Sequence, residues 1–268
     1  MQSGHYVQAN GLELYYEEVG AGPPLLLLHG GTLTASSWRA HGEAFAQHYR
    51  VLMPDSRSHG RTKNPTGELS YRLLADDMAA FVQALGLHQP LICGFSDGGQ
   101  ITLELGIRYP ALAKALVVIG ASYKISEHAL NTARGWGIVG PGVVDLAQVQ
   151  QTMPDAVKQW QTEHAPLGGA DAWQTLLGQI STLWWTPLAY TAQELHQITA
   201  PTLILVGDRD EFMPAEEAVE TYRLLPQAEL AILPHATHGG AVAGATGVNP
   251  LFMDIVSDFF SRHSTQGE

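Results

Sequence analysis

The apolar positions of this chain fall into short runs separated by stretches with helical spacing. Tyr6 to Ala9 and Leu12 to Glu17 alternate around Asn10-Gly11, the dipeptide best suited to a tight turn, so two antiparallel strands are expected at the start. Pro24 to Leu28, Arg50 to Met53, Leu91 to Gly94, Ala115 to Ile119, Thr202 to Val206 and Glu229 to Leu233 read as strands, several of them apolar enough to be covered on both faces. Helical character lies between them, at Ser36 to His48, Leu69 to Leu85, Gly99 through Tyr109-Pro110, Ala215 to Leu225 and Pro250 to Arg262. In the second of these, Leu73, Leu74, Met78, Phe81, Val82 and Leu85 share helix spacing and Gly86 is a natural C-terminal cap. Strands alternating with helices predict the α/β class, with a mostly parallel eight-stranded sheet wrapped on both faces.

The alternation breaks off after the sixth strand. Residues 123–199 hold several helix-length stretches, and five of the six tryptophans lie there: Trp136, Trp160, Trp173, Trp184 and Trp185. So long a segment without structure would be improbable in a compact domain. It is read as a helical lid, with Pro141-Gly142 and Gly168-Gly169 as turns between its helices, inserted into a core formed by residues 1–122 and 200–268. The tryptophans either bind the lid's helices together or, at Trp184 and Trp185, wall a pocket for an acyl or ring system.

Chemistry enters at Gly94-Phe95-Ser96-Asp97-Gly98, a G-x-S-x-G sequence between an apolar run and a helical pattern. A sharp strand-to-helix turn there would expose the serine hydroxyl, and only small residues fit beside it. Serine needs a base and a group that orients the base. His238, in the Gly-rich stretch Pro234 to Gly240, is the base expected, with His235 as competitor. The sixth strand ends in Ile119-Gly120-Ala121-Ser122 without a carboxylate, whereas Thr202 to Val206 leads into Gly207-Asp208-Arg209-Asp210. Asp210 is therefore the expected acid, with Asp208 as the structural member of the pair. Backbone N–H groups of Gly31, in His29-Gly30-Gly31, and of Asp97 would form the oxyanion hole. The Asp97 carboxylate either satisfies free N–H groups at a helix start or recognises a substrate ammonium.

Composition narrows the partners. A net charge of −12 argues against nucleic acid and anionic membranes and mildly favours neutral or cationic ligands. The single cysteine, Cys93, excludes an intramolecular disulfide and fits a reducing, cytoplasmic setting; it is expected as a small buried residue of the strand before the turn. Met1 to Glu18 is polar and strand-like, so no signal peptide is expected, and Pro23 to Leu28 is too short to span a bilayer. No Cys/His cluster has zinc spacing, and neither metal nor organic cofactor is expected.

The order His29-Gly30-Gly31, Ser96, Asp210, His238 resembles the α/β-hydrolase superfamily along essentially the whole chain. Pro54 to Arg61 is similar to that family's loop after the fourth strand, with Ser58 where glycine is usual. Phe95 to Gly99 and Val117 to Ala121 resemble the branch of valacyclovirase and biphenyl-hydrolase-like esterases, in which a carboxylate at the Asp97 position is associated with amino-acid esters. Esterases that open macrolide lactones, whose substrates carry an amino sugar, belong to the same superfamily. The resemblance implies a serine hydrolase of carboxylic esters or lactones acting through an acyl-enzyme on a small-molecule substrate. Serine at position 96 disfavours dehalogenases and epoxide hydrolases of this fold, which use aspartate. Cofactor-free C–C bond hydrolases and haloperoxidase-like members, which use serine, stay open, as does a non-catalytic binding protein on the same fold.

Overall fold

The computed structural model describes residues 3–244 and 247–264. Strands β1 (Ser3–Ala9) and β2 (Leu12–Val19) form the expected hairpin. Asn10 and Gly11 both take positive φ, 47° and 72°, the pair of values a primed two-residue turn demands. The remaining strands of the main sheet are β3 (Pro24–Leu28), β4 (Arg50–Pro54), β5 (Leu91–Phe95), β6 (Ala115–Ile119), β9 (Thr202–Gly207) and β10 (Ala228–Leu233). They lie in the order β1-β2-β4-β3-β5-β6-β9-β10; β2 pairs antiparallel with both neighbours and every pair from β4 to β10 is parallel. This is the arrangement that the α/β-hydrolase resemblance implies.

Alternation within the strands sorts the core into two layers. Leu26, Leu28, Ile92, Val118 and Ile204 face α2 (Tyr71–Ala84), α3 (Asp97–Arg108) and α10 (Ala215–Leu224). Leu25, Leu27, Cys93, Val117 and Leu205 face α1 (Arg39–Phe45) and α11 (Pro250–Ser264). Each fully buried leucine contributes roughly 1.5–3 kcal/mol of apolar burial, so strands covered on both faces carry much of the stability. Helix ends follow local chemistry: the Ser70 hydroxyl accepts from Leu73 N–H at 3.2 Å, which starts α2 after Leu69, and Gly86 leaves it at φ 60°. The stretch expected to be helical from Ser36 begins instead as a 3-10 turn (Ala35–Trp38) before α1.

Between β6 and β9 lie α4 (Glu127–Gly135), a short hairpin of β7 (Ile138–Gly140) and β8 (Val143–Val144), α5 (Leu146–Thr152), α6 (Pro154–Glu163), α7 (Ala165–Gly168), α8 (Ala172–Trp185) and α9 (Ala192–Leu195). Pro141-Gly142 joins the two strands of the hairpin, not two helices as expected; Gly142 takes φ 69° in the turn, and Ile138 pairs with Val144 across it. Gly168-Gly169 does connect helices, α7 to α8. Ala133, Ile138, Val149, Val157, Trp160, Trp173 and Leu177 give this segment a small core of its own. Trp160 and Trp173 pack 5.9 Å apart, so part of the tryptophan content does hold helices together. No helix among the described residues is long and apolar enough to cross a membrane.

Candidate active site

Ser96 stands between β5 and α3 at φ 56°, ψ −119°, a conformation that a non-glycine residue keeps only when its surroundings impose it. The sheet and helix do so: Ser96 N–H donates to Ile119 C=O at 2.8 Å and Gln100 N–H closes the first helical turn on Ser96 C=O at 3.1 Å. A side chain at Gly94 would overlap the Gly98 carbonyl, and one at Gly98 the Leu28 carbonyl. The two flanking glycines therefore answer to close backbone approach.

The loop after β10 carries His238 to this turn. Its Nε2 lies 3.0 Å from Ser96 Oγ, and its Nδ1 lies 2.8 and 3.0 Å from the two oxygens of Asp210, in the loop after β9. Asp210 is fixed by Phe212 and Met213 N–H groups donating to Oδ1 at 2.9 and 2.8 Å, and His238 by its own N–H donating to Glu211 at 2.9 Å. The imidazole sits between the Phe95 and Phe212 rings, each with its centroid 4.9 Å away. Gly120, at φ 58°, leaves room for it: a Cβ there would approach the ring to 2.8 Å. Such an array can take the proton of the serine hydroxyl at Nε2 while the carboxylate holds Nδ1–H. The competitors lie elsewhere: Asp208 accepts from Ala236 N–H at 3.1 Å and shapes the turn, and His235 pairs with the Arg209 side chain.

Asp97 is 8% exposed and faces the same cavity. Its carboxylate accepts from Tyr71 OH at 2.8 Å and from Trp184 Nε1–H, 3.0 Å from both oxygens. Burial pushes its pKa up, against the lowering effect of these two donors and of His238. Among the described residues its hydrogen-bond donors, Tyr71 and Trp184, are neutral. Gly30 and Gly31 lie directly against the turn: a Cβ on Gly30 would touch Ser96 Cβ at 3.1 Å, and one on Gly31 would collide with Asp97 Oδ2.

The cavity above Ser96 measures about 300 Å³ and runs into the segment inserted after β6. Trp136, Ile138, Met153, Trp160, Trp184 and Phe212 are part of its apolar wall. Trp184 thus lines the cavity and also holds Asp97, whereas Trp185 does not line it. Adjacent positions on a helix differ by about 100°, which turns Trp185 toward Arg134, whose guanidinium lies 5.6 Å from its ring. Tyr71, Phe95 and Phe212 were absent from the sequence expectation. No motif marks them, although Phe95 lies inside the G-x-S-x-G sequence and Phe212 two residues after the acid.

Three buried histidines support the loop that carries Gly31. His29 Nδ1–H donates to Gly30 C=O at 2.8 Å while its Nε2 accepts from Ser56 N–H at 3.0 Å, which requires the neutral ring. The His29, His59 and His164 rings stand in a row, with centroid spacings of 5.0 and 6.0 Å. Desolvation lowers all three pKa values, that of His29 from 6.5 to about 4, and also lowers His41. The unfolded chain binds more protons on these groups, so stability falls as pH drops below about 6.5 and continues falling to the folded values. His29 alone contributes roughly 2 kcal/mol of this loss at pH 5. Asp55, raised by burial to about 6, gains its proton in the folded state and offsets part of it. A denaturant midpoint clearly lower at pH 5 than at pH 7.5 is expected; an unchanged midpoint contradicts the neutral assignment. The Ser58 departure leaves the neighbouring loop intact, with Ser58 itself taking the left-handed conformation at φ 68°.

The family model described as alpha/beta hydrolase fold matches residues 23–150. Over 96% of both chains, the protein is 27% identical to the 2-hydroxy-6-oxo-2,4-heptadienoate hydrolase of Pseudomonas putida. It is also 27% identical to the pimeloyl-[acyl-carrier protein] methyl ester esterase of Nitrosospira multiformis, over 85% of this chain and 92% of that one. A meta-cleavage product hydrolase from Pseudomonas fluorescens IP01 superposes with a TM-score of 0.79 at 21% identity, covering 97% of this chain and 98% of the other, which is a likeness of fold.

Proposed function

Because the chain belongs to the alpha/beta hydrolase superfamily, we propose that it is a serine-dependent hydrolase of carboxylic esters or lactones and that it favours amine-bearing substrates. The observation that carries this reading is the hydrogen-bonded sequence Ser96 Oγ, His238, Asp210 at the floor of an apolar cavity that the Asp97 carboxylate also faces. Ser96 Oγ attacks the carbonyl carbon and gives its proton to His238 Nε2, and Asp210 holds the resulting imidazolium. The N–H groups of Gly31 and Asp97 receive the oxyanion. Collapse transfers the proton to the leaving alkoxide and leaves an acyl-Ser96 ester. Water, deprotonated by His238, then frees the acid and the serine. The inserted helices act as a cap over this site.

Asp97 separates the substrate classes. The two hydrolases of hexa- or heptadienoic acids among the relatives act, by their names, on carboxylates. Here an anionic group beside Ser96 would meet a second carboxylate, and the cation in the cavity wall, Lys124, is paired with Glu220 at 3.1 Å. A neutral or ammonium-bearing ester suits that field better. A cavity of about 300 Å³ is at the small end for ligand sites, so a macrolactone would keep much of its ring outside. C–C bond hydrolysis or haloperoxidase-like chemistry on the same serine is the second reading, favoured by the names of relatives.

The test is a matched screen: an amino-acid ester and its deaminated analogue, an amine-bearing macrolactone and its neutral aglycone, and a dienoate. The amine-bearing member of each ester or lactone pair is expected to have the higher kcat/KM, and Asp97→Asn to reduce that preference by about tenfold to a hundredfold. Equal losses on charged and neutral substrates would leave Asp97 a structural role only. Turnover of the dienoate alone would establish the second reading.

A further inference from the structure

The loop that presents Gly31 is strained and is held from the inserted segment. Leu33 N–H closes a turn on Gly30 C=O at 3.2 Å, and Thr32, third in that turn, has φ 64°, a value a β-branched residue rarely adopts. The turn sets the direction of Gly31 N–H, its second residue. Two consecutive residues at the end of α6 grip it. His164, fully buried, donates from Nε2 to Thr32 C=O at 2.9 Å and accepts at Nδ1 from Gly60 N–H at 3.0 Å. Glu163 accepts from the hydroxyls of Thr34 at 3.1 Å and Ser36 at 2.6 Å. The body of the same helix lines the cavity through Ala156, Gln159 and Trp160.

We propose that His164 and Glu163 are positioning residues for the oxyanion hole, through which the seating of α6 over the cavity holds Gly31 N–H where the oxyanion forms. This rests on the assignment of Gly31 N–H to the oxyanion in the esterase reading. Neither residue touches the reacting atoms. His164 bonds Thr32 on one ring edge and the loop after β4 on the other, so its removal frees the strained turn to relax. Such relaxation weakens a contact made fully only in the transition state, which lowers kcat and spares KM.

The test compares His164→Phe, which fills the space without either hydrogen bond, with His164→Gln, whose amide O and N can replace the acceptor and donor. On a short-chain p-nitrophenyl ester, His164→Phe is expected to lose about tenfold to a hundredfold in kcat with KM little changed. His164→Gln should restore most of that loss. Should His164→Phe fail to fold, Glu163→Ala serves in its place, with an expected kcat loss of about threefold to tenfold. Hydrogen–deuterium exchange over residues 29–38 should rise in His164→Phe or Glu163→Ala and return toward wild type in His164→Gln, whether or not esters are the substrate. Undiminished kcat in a folded His164→Phe or in Glu163→Ala, a glutamine variant no better than phenylalanine, or unchanged loop exchange would each overturn the proposal. Absence of ester turnover by the wild-type protein, with the exchange result as expected, would instead count against the esterase reading.

Discussion

Ser96→Ala is expected to keep its fold and to lose at least about a thousandfold in ester turnover, because members of such an array act as a unit. The fold should survive because the strain at Ser96 is borne by backbone bonds to Ile119 and Gln100 and by the flanking glycines, none of which involve the hydroxyl. Circular dichroism and a melting curve check the fold, and a fluorophosphonate probe checks the nucleophile. Rapid labelling of the wild type that vanishes in the variant supports a serine enzyme. Near-normal hydrolysis by Ser96→Ala would remove Ser96 from the mechanism, and a folded wild type that never labels would favour a binding protein on this fold.

The second large effect is expected at Asp210. Asparagine there preserves size but replaces one oxygen by an NH2 donor facing His238 Nδ1, which favours the tautomer that cannot accept the serine proton. A loss of roughly a thousandfold or more in kcat follows. Asp208→Asn should stay within about threefold of wild type, since that side chain accepts from the backbone N–H groups of His235 and Ala236 in the turn and makes no bond to His238. The same contrast holds between His238→Ala and His235→Ala, because the His235 ring is engaged by Arg209, away from Ser96. If Asp208→Asn were the crippled member, the acid would have to be reassigned.

Much of the fold was legible locally. Asn10-Gly11 dictates a turn by the conformations those two residues tolerate, and the short apolar runs could be satisfied only by strands covered on both faces. Gly94 and Gly98 announced a tight turn for the same steric reason. The order of Ser96, Asp210 and His238 was readable because each sits just beyond a strand end, and parallel strands deliver such ends to one edge of a sheet.

What the amino-acid sequence alone determined, then, is whatever depends on near neighbours: the hairpin, the strand cores, the strained serine turn and the candidates at each strand end. Only the tertiary structure decided which face of α8 meets the cavity, so that Trp184 binds Asp97 while Trp185 turns to Arg134. It alone brought Tyr71 to Asp97 from 26 positions away, and His164 to Thr32 from 132 positions away. It also placed Pro141-Gly142 in a hairpin, where the pairing of Ile138 with Val144 replaced the helix ends expected there. The physical reason is the same in each case. A residue's conformational preference is set by its own atoms and acts within a few positions, whereas hydrogen-bond partners and burial are set by chain segments that only the folded sheet and the helices packed over it bring together.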